Sequence, residues 1–369
     1  MTTLRRSLPP VAWLLLGVLC VQSLGTAAFQ TEIASRASAA GLSRLDASMV
    51  SDLARFWALP GFGLGALVSW FRPRIALCLG LALSLSAALY AMRGDCDWRV
   101  VSAVVAIGGA CSLIAVYASL AEQLELNGVA QRMAPVALFV SVEHLAALLT
   151  PKIGGFGGWT GAVCWALGLA LSLGAVSVKS MAREHEPTTR QGSAWLSAGA
   201  LVIFGAMGLP NSFMTPGEFE PSRTLVFEWT LCLGLLALGL FRGVWLSAWR
   251  ALLFGLAVSA GCTLSAVVCY ELHVPLVTWV WVVTAGLGGA ALYAFAFAVL
   301  LGGGRRVSVV MLFWFFGITR GASSFYYWIQ GQEMPGGSLG LIVALFSVPL
   351  LVALATWERR FTRWLMLDA

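Results

Sequence analysis

Glu143 and His144 stand side by side in an apolar run over residues 133–150. They lie about ten residues into it, or ~15 Å at ~1.5 Å per helical residue, half-way through a hydrocarbon layer ~30 Å thick. A charge at that depth costs about 2.5–3.5 kcal/mol or more, so ionisable side chains there are functional candidates. A carboxyl group beside an imidazole, which titrates near neutral pH, suits proton exchange. Successive helical positions are ~100° apart, so one of the pair lines a path and the other sets its protonation. The plain alternative is static: Glu143 closes a hydrogen bond between helices and His144 is a satisfied buried residue. Arg320 lies about thirteen residues, or ~20 Å, into the run 307–328. Its guanidinium cannot discharge, so it needs an anion, a carbonyl cluster or water. It either binds an anionic group of a substrate or holds an interhelical gate by pairing with Asp52 or Glu228, with static pairing as the third reading. Glu228 is shallower, ~8 Å inside the start of the run 223–241.

The elements that position these residues follow from composition. Of 369 residues, 59% are hydrophobic and 11% charged, and the mean hydropathy is +0.85. A water-soluble chain carries roughly 25% charge, and one of this composition would face solvent with far too much apolar surface. The chain is a polytopic membrane protein. Twelve apolar runs fall at 11–29, 51–70, 75–92, 99–121, 133–150, 158–178, 194–210, 223–241, 250–270, 275–301, 307–328 and 337–357. They use roughly 240 residues at ~20 per span, which excludes a large soluble catalytic domain. The runs lack period-2 alternation, and a backbone in lipid must satisfy its own hydrogen bonds, so the spans are helices. Seven of the eight cysteines fall in apolar runs and only Cys96 lies among charged neighbours, so no disulfide framework or metal cluster is expected. No cofactor is expected either.

The even number of spans puts both termini on one side. Loops on that side hold fifteen Lys and Arg residues, among them Arg5, Arg6, Arg72, Arg74, Arg132, Lys179, Arg305 and Arg306, against seven on the other. By the positive-inside rule that side is cytoplasmic. This orientation accounts for the net charge of +6 better than nucleic-acid binding, because no basic cluster exceeds two or three residues. Arg5, Arg6 and the small residues Gly25-Thr26-Ala27-Ala28 imitate a signal peptide, and Cys20 a lipoprotein site. The apolar run from Val11 to Phe29 is long for a signal sequence, and Leu19 before Cys20 is too large for lipoprotein processing. The polar stretch 179–193 (KSMAREHEPTTRQGS) is the longest cytoplasmic connection and splits six spans from six. The expected domains are a bundle over 1–180, a linker over 181–193 and a second bundle over 194–369. Glu122 and Glu125, at the cytoplasmic end of span four, read as a solvated face, and most of the 40 glycines read as helix-packing positions.

Between spans two and three the chain reads Gly65-Ala66-Leu67-Val68-Ser69-Trp70-Phe71-Arg72-Pro73-Arg74. This resembles the Gly-x-Leu-Ala-Asp-Arg-x-Gly-Arg-Arg loop signature of the major facilitator superfamily. Gly65, Leu67 and Arg74 are kept, while Ser69 stands for the family's Asp and Trp70 for its first Arg. At the end of span five, Thr150-Pro151-Lys152-Ile153-Gly154-Gly155 is similar to the Gly-Pro-x-x-Gly-Gly ending of the family's antiporter signature. In span four, Gly108 and Gly109 lie near the place of the family's Gly-x-Gly, with Ala103 or Val104 where the family has a buried Arg. The resemblance implies an all-α fold of twelve transmembrane helices in two pseudo-symmetric six-helix bundles. It puts Gly65, Ser69, Arg72 and Arg74 in a conformational loop, Pro151, Gly154 and Gly155 in the helix 5 motif, and helices 2, 5, 8 and 11 along the border of the two halves. Gln22, Gln30, Tyr117, Asn211 and Tyr293 fall on cavity-lining helices.

The function expected is secondary active transport of a small molecule across a bacterial inner membrane, by proton-coupled efflux and as a monomer. The coupling pair is Glu143 and His144; Arg320, Glu228, Asp52, Gln22, Tyr117 and Tyr293 serve substrate or gate. Its partners are the bilayer, the substrate and protons, without nucleic acid. Two alternatives stand: a proton-coupled uptake permease for a nutrient or metallophore, and a non-transporting assembly factor or sensor, suggested by the replaced charges at Ser69 and Ala103 or Val104. An enzyme is not expected, because no intramembrane Ser-His, HExxH or Asp-rich set is present.

Overall fold

The computed structural model describes residues 9–39, 44–93, 96–124, 129–153, 159–177, 221–240, 275–303, 305–306 and 308–316, with 250–251, 253–255 and 257–258. Among the described residues the regular structure is helical throughout, without strands. The helices are α1 (Pro10–Ala39), α2 (Arg44–Phe71), α3 (Pro73–Ala91), α4 (Trp98–Leu124), α5 (Val129–Ile153), α6 (Trp159–Ser177), α7 (Pro221–Leu240) and α8 (Pro275–Leu300). A 3-10 turn, Leu301–Gly303, follows α8, and helical backbone resumes over 308–316. These elements coincide with the first six expected spans, the eighth, the tenth and the start of the eleventh. The seventh and twelfth, and most of the ninth, lie outside the described residues.

Among the described residues, four stretches are long and apolar enough to cross a bilayer: Pro10–Glu32, Pro73–Ala91, Trp98–Leu124 and Val282–Leu300. The apolar helices Trp57–Phe71, Trp159–Ala175 and Leu225–Leu240 are shorter. Two helices extend beyond their apolar runs. α1 continues past Phe29 to Ala39, and α2 begins at Arg44 rather than near residue 51. Both extensions carry polar residues, which hydropathy reads as loop although nothing in them breaks a helix.

The junction of α2 and α3 is set locally. Arg72 is extended (φ −148°, ψ 90°) and caps α3, whose first residue is Pro73; proline suits that position because its missing N–H has no intrahelical role there. The Arg72 N–H donates to the Val68 carbonyl at 2.8 Å, and the Arg72 carbonyl accepts from Ile75 and Ala76 at 3.1 and 3.2 Å. One residue therefore turns the chain.

The chain forms two compact units. Unit 1 comprises Met1–Glu125, Val142–Pro187 and Gly303–Arg320. Here α4 packs against α1, α2 and α3, while α6 packs against α1 and α3. Residues 114–121 of α4 are buried without interruption, so α4 is the axis of the unit. Glycine lets its neighbours reach it. A Cβ on Gly65 would come within 2.8 Å of the Cys111 backbone, and one on Gly61 within 2.6 Å of the Ile107 carbonyl. Gly80 and Gly108 face each other so closely that a Cβ on either would lie 2.6 Å from the other's carbonyl oxygen. Lipid tails are as apolar as leucine, so close van der Waals contact between small residues, rather than burial from water, holds such helices together. The large side chains outside this seam, such as Leu67, Phe71, Trp159, Val163 and Leu173, are exposed.

Unit 2 comprises Leu126–Ser141, Thr188–Gly302 and Gly321–Ala369. α7 packs on α8, with Gly234 against Ala290 and Gly286 against Thr230. The start of α5 lies against α7: Cys232 Sγ donates to the Ser141 carbonyl at 3.5 Å, and a Cβ on Gly239 would meet Leu138 N at 3.1 Å. Arg132, buried, rests against Gly302 just past the end of α8, where a cation complements the helix dipole.

Valine at Gly80 or Gly108 is expected to destabilise the detergent-solubilised protein by about 1–3 kcal/mol, because the obstructing atoms are backbone. Gly174→Ala, where a Cβ would meet nothing within 4 Å, should be neutral. Thermal unfolding followed by tryptophan fluorescence checks both.

Candidate functional site

α4 and α5 bring two of the expected site residues together in unit 1. Tyr117 is fully enclosed, and its hydroxyl donates to Glu143 Oε2 at 3.0 Å. Glu143 is half-buried near the middle of the 25-residue α5, and His144 follows it, also half-buried. Tyrosine both donates and accepts. Tyr117 can therefore donate to a carboxylate or accept from a protonated carboxyl, and holds the side chain in place in either state. The arrangement can carry a proton or meet a cationic group.

An aromatic group adjoins this pair. Phe316 lies 6.5 Å from the Tyr117 ring, inclined at 42°, and stacks on Phe62 at 4.8 Å with an interplanar angle of 9°. Phe62 belongs to a cluster with Ala58, Ala110 and Ile114, flanked by Ala66, Leu113, Phe313 and Phe316. Phe316 thus lies between the Tyr117 ring of α4 and the Phe62 ring of α2 as the common neighbour of both.

Gln22 is 4% exposed and donates through Nε2 to the Gly109 carbonyl at 2.9 Å. Its Oε1 is buried without a hydrogen-bond partner. Ser112 Oγ donates to the Gly108 and Gly109 carbonyls at 2.9 and 3.0 Å. Gln22 therefore ties α1 to α4 at the glycine pair.

The remaining expected residues are placed as follows. In unit 2, Glu228 is half-buried on α7, and Tyr293, half-buried on α8, stacks on Phe297 at 6.0 Å. In the loop region, Gly65 adjoins α4, Ser69 is fully buried with no partner for its Oγ, Arg72 is exposed and Arg74 half-buried. Asp52 lies in α2 and Pro151 in α5, with side chains outside the described residues; Gly154, Gly155 and Arg320 lie outside them altogether.

One reading is corrected. Glu122 is not on a solvated face: its side chain is 8% exposed and accepts from Arg305 Nη1 at 2.9 Å. The partner is 183 positions away in sequence, so the local charge pattern gave no sign of it. The Phe62–Phe316 stack was not singled out either; aromatic residues in apolar runs carry no mark that distinguishes a site from a core.

The helical fold is shared with solved structures. Its likeness to the crystal structure of the human organic anion transporter MFSD10 (TETRAN) has a TM-score of 0.71, covers 93% of this chain and 100% of that one, and is accompanied by 13% sequence identity. At that identity the likeness is one of fold. In all, 179 chains of solved structures match. No family model matches the sequence, and no curated protein matches it.

Tyr117→Phe deprives Glu143 of a donor and is expected to cost about 1–2 kcal/mol of stability. In a double-mutant cycle with Glu143→Gln, the two should couple by about 1 kcal/mol. Thermal midpoints of the four proteins give the coupling; additive effects would show that the bond contributes nothing.

Proposed function

We propose that the chain is a secondary active transporter working by alternating access, with a bundle over 1–180 and a second over 194–369 joined by the linker 181–193. The observation that carries this reading is Glu143: a half-buried carboxyl group near the middle of a long helix, bonded to Tyr117, in a chain with a transporter-like fold. An ionisable group at membrane depth is costly unless it serves a path. Exchange of a proton at Glu143, with His144 beside it, would couple cargo movement to a proton gradient.

The resemblance of 150–155 to an antiporter ending favours efflux. Two features make an organic anion the first cargo class to try: the solved protein of similar fold is an organic anion transporter, and Arg320 supplies a permanent cation in span eleven. Glu228, Asp52, Gln22 and Tyr293 then serve the path or its gates. Positive-inside sorting favours cytoplasmic termini, and the resemblance favours a conformational loop at Gly65, Ser69, Arg72 and Arg74 and a helix 5 motif at Pro151, Gly154 and Gly155.

The test uses protein reconstituted in liposomes, a panel of labelled organic anions and an imposed pH gradient. Wild type is expected to move cargo faster when the gradient is present. Glu143→Gln should bind the same cargo with affinity within about threefold, a shift under 1 kcal/mol, yet move it at a rate indifferent to pH. A Glu143→Gln protein with the pH response of wild type would take Glu143 out of the mechanism.

A further inference from the structure

The junction of α2 and α3 carries charges where helix electrostatics opposes them. The N-terminus of a helix is its positive pole; it favours Asp or Glu and a side-chain acceptor at the cap. α3, 19 residues long, is instead capped by Arg72 without a side-chain hydrogen bond, has no acidic residue in its first turn and carries Arg74 there. Arg72 is exposed and Arg74 half-buried. α4 shows the ordinary solution: Asp97, just before it, accepts the Arg99 N–H at 2.9 Å. The sequence has no acidic residue between Asp52 and Asp95, so no neighbour along the chain relieves α3.

A third arginine reaches the same junction from elsewhere in unit 1. Arg306, exposed, places its Cζ 5.8 Å from the centroid of the Trp70 ring, two residues before Arg72. Glu122, which meets the chain at the residue before Arg306, is engaged by Arg305. Around these cations the surface is apolar: Leu67, Phe71 and Ile75 are 64%, 68% and 50% exposed. Three arginines at the positive pole of a helix, rimmed by exposed hydrocarbon, complement a molecule with an anion at one end and an apolar body behind it.

We propose that the α2–α3 junction binds the headgroup of an anionic phospholipid, its phosphodiester held by Arg72, Arg74 and Arg306 and its acyl chains lying along Leu67, Phe71 and Ile75. The N–H groups of Ile75 and Ala76 are already taken by the Arg72 carbonyl, so guanidinium groups make the contacts, and their planar forks match phosphate oxygens. Free phosphate would meet the same arginines and leave the apolar rim uncovered. In the topology with cytoplasmic termini, the site faces the cytoplasmic leaflet, whose surface anionic lipids make negative. The site does not depend on the transporter reading.

The test uses the full-length chain, delipidated in a neutral detergent, and short-chain lipids, with binding read from the rise of the thermal midpoint over a titration. Dioctanoylphosphatidylglycerol is expected to bind about tenfold tighter than dioctanoylphosphatidylcholine, which has the same chains and no net charge, and about tenfold tighter than glycerol phosphate, which has the charge and no chains. Arg72→Gln combined with Arg74→Gln should weaken phosphatidylglycerol about thirtyfold, the equivalent of about 1 kcal/mol per arginine. The same variant should keep its affinity for phosphatidylcholine, which also shows that it is folded. Arg93→Gln combined with Arg99→Gln removes the same net charge from exposed positions beyond the other end of α3 and should leave phosphatidylglycerol binding unchanged. Should the Arg72, Arg74 variant not fold, the comparison of ligands on the wild type still decides. Equal affinity of the wild type for the two lipids, parental affinity in the Arg72, Arg74 variant, or an equal loss in the Arg93, Arg99 variant would overturn the site. Glycerol phosphate bound as tightly as phosphatidylglycerol would overturn the lipid as its occupant.

Discussion

Lipid offers no hydrogen bonds, and that absence governs this structure. A backbone crossing it must satisfy itself, which leaves helices, and a polar side chain must find its partner on a neighbouring helix. The contacts around α4 show the consequence. Gln22 reaches the Gly109 carbonyl, Ser112 bonds back to its own helix, and Tyr117 meets Glu143. Glycine makes these reaches possible, because Gly61, Gly65, Gly80 and Gly108 let backbones approach to distances at which any side chain would collide.

The same constraint separates packing from chemistry. Residues 114–121 of α4 are enclosed, so Tyr117 has little freedom except along its bond to Glu143. Glu143 itself is half-buried and accepts from Tyr117 through one oxygen. Phe316 neighbours the Tyr117 ring and stacks on Phe62.

The sequence exposed the helices because an apolar run of about 20 residues has no alternative in lipid. Their ends were less legible. α1 runs on to Ala39 through polar residues that hydropathy cannot distinguish from a loop. Faces were hidden altogether: Leu67 is 64% exposed and Leu77 1%, yet both are leucines in apolar runs, since lipid and protein interior favour the same side chains. Tyr117 and Glu143 each stood out by residue type, but their pairing spans two helices and leaves no periodic trace. Glu122 was misread for the same reason, its partner being distant in the chain. Charge at depth is legible in one dimension; who pairs with whom is a property of three.

The central claim is that Glu143 sits in a water-accessible interior that opens to one side of the membrane at a time. Its most direct test is two-sided reactivity at that position. Glu143→Cys, in a background without other reactive cysteines, is exposed to a small charged methanethiosulfonate from each face of oriented vesicles. The account requires reaction from both faces, with cargo or a pH gradient speeding one and slowing the other. A cysteine that reacts from neither face under any condition would contradict it.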